Sequence, residues 1–412
     1  MTESNDIVIH GESELGSIVK KVIPSSYLQS SLPSSERVTT KKVKAVRKSS
    51  EEVVYDVSVA NNQNLFVDGV LVHNCFEISF IPVTEDGVCG VQFCNLTTQN
   101  GLKIKTLEEF LECVEAATII GTLQAAYTDF PYLSKAAEFL TKEESLLGVS
   151  LTGWLDNPQV LLNEKNQYLA AKLADKVNSD WAKKIGVNKA ARITCVKPEG
   201  TSVFFFGDES GVPSSGAHPH HAKEYFKRVQ VNKMEKPYQY FKAHNAHMSE
   251  ESIWSSTNTD DVLTFYLTAP DNAIVKDDLS AIDHLNIIRK IQENWVVNGT
   301  TDVNKKPITH NVSCTVLVDD HEWDDVVDYI YENRQYFAAI ALLSKMGDKS
   351  YPQAPLERLV TTEDLKKRDK IMDQFIPVDW AQFNEEEDET NFGEIAACAG
   401  GACEVPQFAR AG

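Results

Sequence analysis

Asparagine is unusual in that its side chain can cut the backbone. The amide nitrogen attacks its own main-chain carbonyl, closes a succinimide and breaks the following peptide bond. Asn74 stands between His73 and Cys75 in the run VLVHNC. The cleavage needs a proton delivered to the leaving amine, and an adjacent histidine such as His73 can deliver it. The Cys75 thiol can accept an acyl group. His-Asn-Cys therefore holds the parts for acyl transfer followed by cyclisation.

Cys75 also opens a second constellation. Glu77 lies two residues on, which puts a thiol and a carboxylate on one side of an extended segment. Cys94 follows in GVQFCNLTTQNG. VKPEGTS (196–202) reads as a strand running into a loop. Its glycine and hydroxyl residues can offer backbone N–H groups to phosphate. It lacks the Gly-Lys-Ser/Thr ending of a P-loop. Cys398 and Cys403 sit in CAGGAC, where the glycines let the chain bend and join them. A lone cysteine pair is a poor zinc site. The histidines of HPHH (His218, His220, His221) read as loop or surface residues. No metal site is expected. Cys113 falls on an expected helix and reads as packing.

Two family resemblances follow from these motifs. VVYDVSVANNQNLFVDGVLVHNC (53–75) resembles the C-terminal end of an intein. That resemblance implies that Asn74 cyclises, His73 assists and Cys75 becomes the first residue of the retained protein. It gives Asp56 the task of orienting or activating groups at the junction. The turn position often held by histidine is Gln63 here, which leaves more of the proton transfer to Asp56. An N-terminal intein half with its own nucleophile is not in the chain, so a split intein is expected, with gene truncation as the other explanation. The stretch Leu15–Ser50 carries eight Lys/Arg against the single acid Glu36, a charge suited to an acidic partner chain or to a solvated tail.

From Cys75 onward the chain resembles ribonucleotide reductase, most of all the single-chain adenosylcobalamin-dependent class. Cys75-Phe76-Glu77 is similar to the finger-loop motif and LLGVSLTGWLD (146–156) to the helical region after it. KPEGTS is similar to the phosphate loop and CAGGACEV to the reducing tail. The resemblance implies the C-terminal half of a ten-stranded α/β barrel, preceded by a small all-β intein fragment. It implies a thiyl radical on Cys75, Glu77 as general base, and Cys94, with Cys89 as a less favoured substitute, as one member of a reducing pair whose partner is on the missing half. Cys398 and Cys403 would re-reduce that pair and be reduced in turn by thioredoxin or an equivalent. Pro198, Glu199, Gly200, Thr201 and Ser202 would hold the phosphates of a ribonucleotide, expected to be a triphosphate. Adenosylcobalamin is the implied cofactor. The nucleotide-effector site is expected on the N-terminal polypeptide. The family's substrate-binding asparagine near the radical cysteine is not Asn74, which leaves with the intein. Glycyl-radical enzymes share the barrel type, but they carry an Arg-Gly-Tyr-like loop where this chain has a dithiol. An inert remnant or a binding subunit is the non-enzyme alternative.

Elements must position these groups. The reading divides the chain into a polar, basic segment (1–40), an intein β segment (41–74), the reductase half (75–380) and an acidic, Gly/Ala-rich mobile tail (381–412). Thr106 with Glu109 forms a capping-box signature ahead of a helix containing Leu107, Phe110, Leu111 and Val114. Helices are expected at Asn163–Ile185, Ala281–Val297 and Trp323–Leu343. Strands are expected at FEISFIP, GVQFCNL, Arg192–Val196, Ser202–Phe206 and Asn311–Val318. Strands alternating with helices imply an α/β sheet or barrel. The 412 residues are 42% hydrophobic with a net charge of −20, which disfavours adhesion to nucleic acid or anionic membrane. No apolar run is long enough to span a bilayer. No basic, apolar leader is visible, and eight cysteines in a chain this size need no disulfide staples. The expected compartment is the cytoplasm.

Overall fold

The computed structural model describes the backbone of residues 65–67 and 70–72, then residues 77–199, 202–208, 211–255, 258–301, 308–345 and 352–384. In chain order the strands are β1 (Leu65–Val67), β2 (Val70–Val72), β3 (Asn95–Gln99), β4 (Leu147–Leu151), β5 (Glu224–Asn232), β6 (Ser249–Glu251), β7 (Asp260–Thr268), β8 (Thr315–Val318), β9 (Ala341–Ser344) and β10 (Leu356–Arg358). The main helices are α1 (Leu107–Gln124), α2 (Lys135–Glu144), α3 (Glu164–Ile185), α4 (Ser202–Phe205), α5 (Lys236–Asn245), α6 (Ala281–Ile291), α7 (Trp323–Glu332) and α8 (Thr362–Gln374).

Parallel segments lie side by side in chain order. β3 pairs with β4, Asn95 opposite Leu147 through Gln99 opposite Leu151. β4 continues to residues 192–196, where Val149 N–H donates to Ile193 O (2.8 Å) and Cys195 N–H to Val149 O (3.1 Å). Val196 meets Val312 in a parallel bridge. From there the chain runs into β8, which pairs in parallel with β9. Every residue of β4 is buried, as expected for a parallel strand covered on both faces. α1, α3 and α6 cover these strands and share their core, which includes Phe110, Val149, Ala174, Ile193, Ile288 and Trp295.

Local sequence explains the helix ends. Thr106 and Glu109 form the expected capping box, with Glu109 N–H on Thr106 Oγ1 (3.2 Å) and Thr106 N–H on Glu109 Oε2 (3.0 Å). Asn163 caps α3, and Gly186 ends it in the left-handed conformation (φ 79°). The helix expected from Ala281 forms as α6 and continues as a π-turn, Gln292–Val296.

A second, antiparallel sheet was not anticipated. Its order is β10-β5-β7-β6. It has its own core of Phe226, Tyr238, Phe241, Met248, Leu263 and Ile371. Near the start of the chain, β1 and β2 pair antiparallel, Val67 opposite Val70, with Asp68-Gly69 between them in sequence. The run LFVDGVLV, which reads as one continuing strand, is thus two short paired strands.

Several expected elements are corrected. Ser202–Phe206, read as a strand, contains the helical turn α4. Trp323–Leu343, read as one helix, ends at Glu332, and Ala341–Ser344 pairs with β8 instead. The run AIALL suits a helix, but sheet pairing overrides that preference. LLGVSLTGWLD, read as helical, is β4 followed by a turn in which Gly153 has φ 71°.

Candidate functional site

The site gathers where residues 77–81 cross the parallel strands. Glu77 O accepts from Asn311 N–H (3.0 Å). Ser79 N–H donates to His310 Nδ1 (3.2 Å), and Ser79 Oγ donates to Thr309 O. Arg192 Nε donates to Ser79 O (3.2 Å). Residues 77–80 form no strand, contrary to expectation; these single bonds hold them instead.

His310 is fully buried, and its tautomer follows from its partners. Nδ1 accepts from Ser79, so Nε2 carries the proton and donates to Leu147 O (2.7 Å). Burial first, and then the Arg192 charge, lower its pKa to about 3. Arg192 is itself buried and ion-paired with Glu144, which also accepts from Gln92 Nε2 (3.1 Å). A buried charge persists only when paired in this way.

Cys94 packs with Ile78, Leu146 and Cys195 just ahead of β3. Gly148 of β4 gives it room, since a Cβ there would stand 3.0 Å from Cys94 Sγ. Burial, and then the negative charge of Glu77, push the Cys94 thiol well up, against the opposing influence of Arg192. The thiol is therefore held neutral near pH 7, a poor nucleophile but a group that retains its hydrogen. Glu77 is also shifted up, first by burial and then by Glu199, with Lys197 opposing. A carboxylate raised in this way is better matched to proton transfer. Cys89, the alternative to Cys94, is exposed.

A polar cluster adjoins this pair. Glu199 is 2% exposed and adopts φ 57°, a backbone conformation that is uncommon for a side-chain-bearing residue. Its carboxylate accepts from Thr98 Oγ1 and Ser150 Oγ (both 3.0 Å) and from Ser202 Oγ. Lys197 Nζ lies 3.5 Å from Glu199 Oε2 and donates to Thr98 Oγ1 (2.8 Å). The Glu199 side chain thus braces the loop from within. Pro198 and Ser202 are in place beside it, whereas Gly200 and Thr201 lie outside the described residues. So do Asp56, His73, Asn74, Cys75, Cys398 and Cys403.

Sequence reasoning passed over several groups. His220 of HPHH is buried, not superficial. Its Nε2 lies 2.9 Å from Asp156 Oδ1 and its Nδ1 3.2 Å from Tyr225 OH. His218 Nε2 accepts from Thr315 N–H (2.9 Å). Among the described residues no group of three or more His, Cys, Asp or Glu could hold a metal ion. The Arg192–Glu144 pair spans 48 residues of sequence and leaves no local signal. Lys197 lay inside a motif that was already noted, and its charge beside a buried loop was the available clue. Cys113 packs against the core from α1, as expected.

The comparisons with known proteins bear on this geometry. No family model matches the chain. The adenosylcobalamin-dependent ribonucleoside-triphosphate reductase of Lactobacillus delbrueckii subsp. bulgaricus is 21% identical over 391 residues, covering 87% of this chain and 50% of that protein. The protein of the same name from Lactobacillus gasseri is 22% identical over 271 residues, covering 65% of this chain and 33% of that protein. These relatives are ribonucleotide reductases. The chain spans about half the length of the first of them. A crystal structure of a B12-dependent (class II) ribonucleotide reductase superposes with a TM-score of 0.55 at 19% identity, over 69% of this chain and 41% of that one. The likeness establishes a shared mixed α/β fold. No described helix is long and apolar enough to cross a membrane.

Proposed function

We propose that this chain is the C-terminal part of a ribonucleotide reductase, released for catalysis by intein splicing at Asn74–Cys75. The observation that carries the reductase reading is the packing of Ile78, the neighbour of Glu77, with Cys94 at one end of the parallel strands, which brings the Glu77 charge near enough to act on the thiol. Likeness to the named relatives supports it. The parallel segments fit one half of a ten-stranded barrel, and the other half would come from the N-terminal part to which splicing joins this chain. The splicing reading rests on the 53–75 motif, and the antiparallel pairing of β1 with β2 is in keeping with it.

In this reading Cys75 starts each cycle as a thiyl radical and takes the hydrogen atom from C3′ of the ribose. S–H and activated C–H bonds are similar in strength, so the transfer is near balance. Glu77 accepts the 3′-hydroxyl proton. The 2′-hydroxyl leaves as water, with its proton supplied by the reducing thiol pair. That pair, Cys94 and a thiol of the other half, gives two electrons and its second hydrogen to C2′ and becomes a disulfide, while Glu77 returns its proton to the 3′-oxygen. Cys75 then returns its hydrogen to C3′. Pro198 to Ser202 hold the phosphates through loop backbone and hydroxyls, with Glu199 as the internal brace.

Adenosylcobalamin is proposed as the coenzyme on the names of the relatives alone. The described residues do not by themselves fit a site for it. The buried ring nitrogens of His220 and His310 are engaged by Asp156, Tyr225, Ser79 and Leu147. No cluster among the described residues could ligate a metal.

The test is co-expression with a polypeptide carrying the first half of a reductase followed by an intein N-terminal half. The reading expects a ligated product from which residues 1–74 are lost and whose junction peptide contains Cys75. With adenosylcobalamin and a dithiol, that product forms deoxyribonucleotides. A ligated product without such activity contradicts the reductase reading, and the absence of ligation contradicts splicing.

A further inference from the structure

The chain leaves the parallel strands at Pro198 and comes back at Gly216, and a buried carboxylate holds each arm. On the outgoing arm that group is Glu199, bonded to Thr98, Ser150 and Ser202. On the returning arm it is Asp156, fully buried in the turn after β4. Asp156 Oδ2 accepts from Ser215 N–H (2.9 Å) and lies 3.1 Å from Ser214 Oγ. Gly153 N–H of the same turn donates to Ser215 O (2.6 Å), and Ser214 Oγ lies 2.8 Å from Thr152 Oγ1. The two arms meet. Ser214 N–H donates to Phe206 O (2.7 Å), and Gly207 bridges to Pro213. A Cβ on Gly216 would stand 3.3 Å from Pro198 O and 3.6 Å from Glu199 Cβ. Ser214–Gly216 is thus wedged between Asp156 and the first residues of the 198–202 loop.

Asp156 is itself held from the far side. Its Oδ1 lies 2.9 Å from His220 Nε2, and His220 Nδ1 lies 3.2 Å from the Tyr225 hydroxyl on β5. All three side chains are buried. Burial alone would raise the Asp156 pKa, but the bonds from His220 and Ser215 outweigh it and hold the carboxyl below its ordinary value. An ionised carboxylate only accepts. The neutral His220 ring therefore carries its proton on Nε2 and takes the Tyr225 O–H at Nδ1. The chain from Asp156 through His220 to Tyr225 keys the loop's anchor to the antiparallel sheet.

We propose that Asp156 is a positioning residue for phosphate binding: through Ser214 and Ser215 it fixes where Pro198 and Glu199 set the loop against a substrate's phosphates. The inference rests on the reductase reading above, which gives Pro198–Ser202 to the phosphates. Loop donors serve an anion best when they are already in place, because ordering them on binding subtracts from affinity. Without the carboxylate, Ser215 N–H and His220 Nε2 lose their acceptor, and the returning arm is free to shift. That arm lies against Pro198 and Glu199, so the loss falls on the phosphate end of the substrate. Glu77 is held by Asn311 and Cys94 by its packing with Ile78 and Leu146, and neither bonds to Asp156.

The experiment uses the ligated enzyme and two competitors of the ribonucleotide, inorganic tripolyphosphate and the unphosphorylated nucleoside. Asp156→Ala is expected to raise the tripolyphosphate inhibition constant and the KM about tenfold, with kcat and inhibition by the nucleoside little changed. Ser214→Ala, which leaves Asp156 bonded to Ser215 and His220, moves the same two constants about threefold. Asp156→Asn restores them toward the parent, since the amide oxygen still accepts from Ser215 while Nδ2 donates to His220. The ring proton then moves to Nδ1, and 15N spectra of His220 report the exchanged tautomer. A fall in kcat with unaltered tripolyphosphate inhibition, or equal weakening of tripolyphosphate and nucleoside, overturns the proposal. An unaltered enzyme that reduces ribonucleotides but is indifferent to tripolyphosphate overturns it as well and leaves the reductase reading standing. If the unaltered ligated protein forms no deoxyribonucleotide, the reductase reading has failed and the positioning proposal falls with it.

Discussion

Replacing Glu144 by leucine strands a positive charge in the interior. Arg192 is 1% exposed and Glu144 is its ion-pair partner, 4% exposed at the side chain. Leucine fills similar space but offers no oxygen to the guanidinium or to Gln92 Nε2. Removing one member of a buried pair costs about 3–5 kcal/mol, because the survivor keeps its desolvation penalty. At roughly 2 °C per kcal/mol for a large domain, Glu144→Leu should lower the melting temperature by about 6–10 °C. The loss should be nearly the same at low and high salt, since buried pairs are poorly screened. Adding Arg192→Met removes the stranded charge, so the double variant should recover most of the loss. Arg192 also holds Ser79 O, so amide exchange at Ser79 and Ile81 should rise in the single variant. The assay is thermal unfolding of the full chain together with hydrogen exchange of residues 77–81. A single variant melting within about 2 °C of the parent, or a double variant as unstable as the single, would refute this account of the pair.

Three further outcomes follow from the same structure. His310 has its pKa lowered to about 3 against an ordinary 6.5, so folding favours the neutral ring. Stability is full above about pH 6.5 and is lost as pH falls from there toward about 3, on the order of 5 kcal/mol in all; urea titrations at stepped pH should show this slope, and His310→Gln should flatten it. On the proposed reductase reading, Glu77→Gln in the ligated protein should cut kcat by about 10²–10⁴-fold with little change in KM. Because burial raises the Glu77 pKa, the acid limb of kcat/KM should lie above pH 4.5 and vanish in that variant. Gly148→Ala would set a Cβ 2.4 Å from Leu96 Cδ2 and 3.0 Å from Cys94 Sγ, and should destabilise the chain by about 1–3 kcal/mol in chemical unfolding.

Local signals carried much of the helical framework. The Thr106–Glu109 box and the Asn163 start were legible because capping is a short-range exchange of hydrogen bonds. Ala341–Ser344 was not, since its strand state depends on a partner, β8, that lies more than twenty residues away in sequence. The antiparallel sheet was missed for a related reason. Lys227, Arg228 and Gln230 interrupt β5, and its pairing with β7 joins residues up to 44 apart. In the candidate site, Glu77, Cys94 and the 196–202 loop could be singled out by residue type and by resemblance. Their convergence could not, because it is built by Asn311, His310 and Arg192, which the sequence places more than a hundred residues from Glu77. His220 was misjudged because adjacent histidines around a proline look like surface, whereas the partner that buries this one, Asp156, is 64 residues away.

The most direct measurement concerns a single atom, the Cys75 sulfur. Cys75→Ser replaces the thiol by a hydroxyl that can still accept an acyl group at the Asn74 junction but cannot host a thiyl radical. The variant, co-expressed with the N-terminal half, should still yield ligated protein by mass spectrometry. That protein should form no deoxyribonucleotide under conditions in which the Cys75 enzyme does. Deoxyribonucleotide formation by ligated Cys75→Ser protein at a rate comparable to the parent would contradict the account.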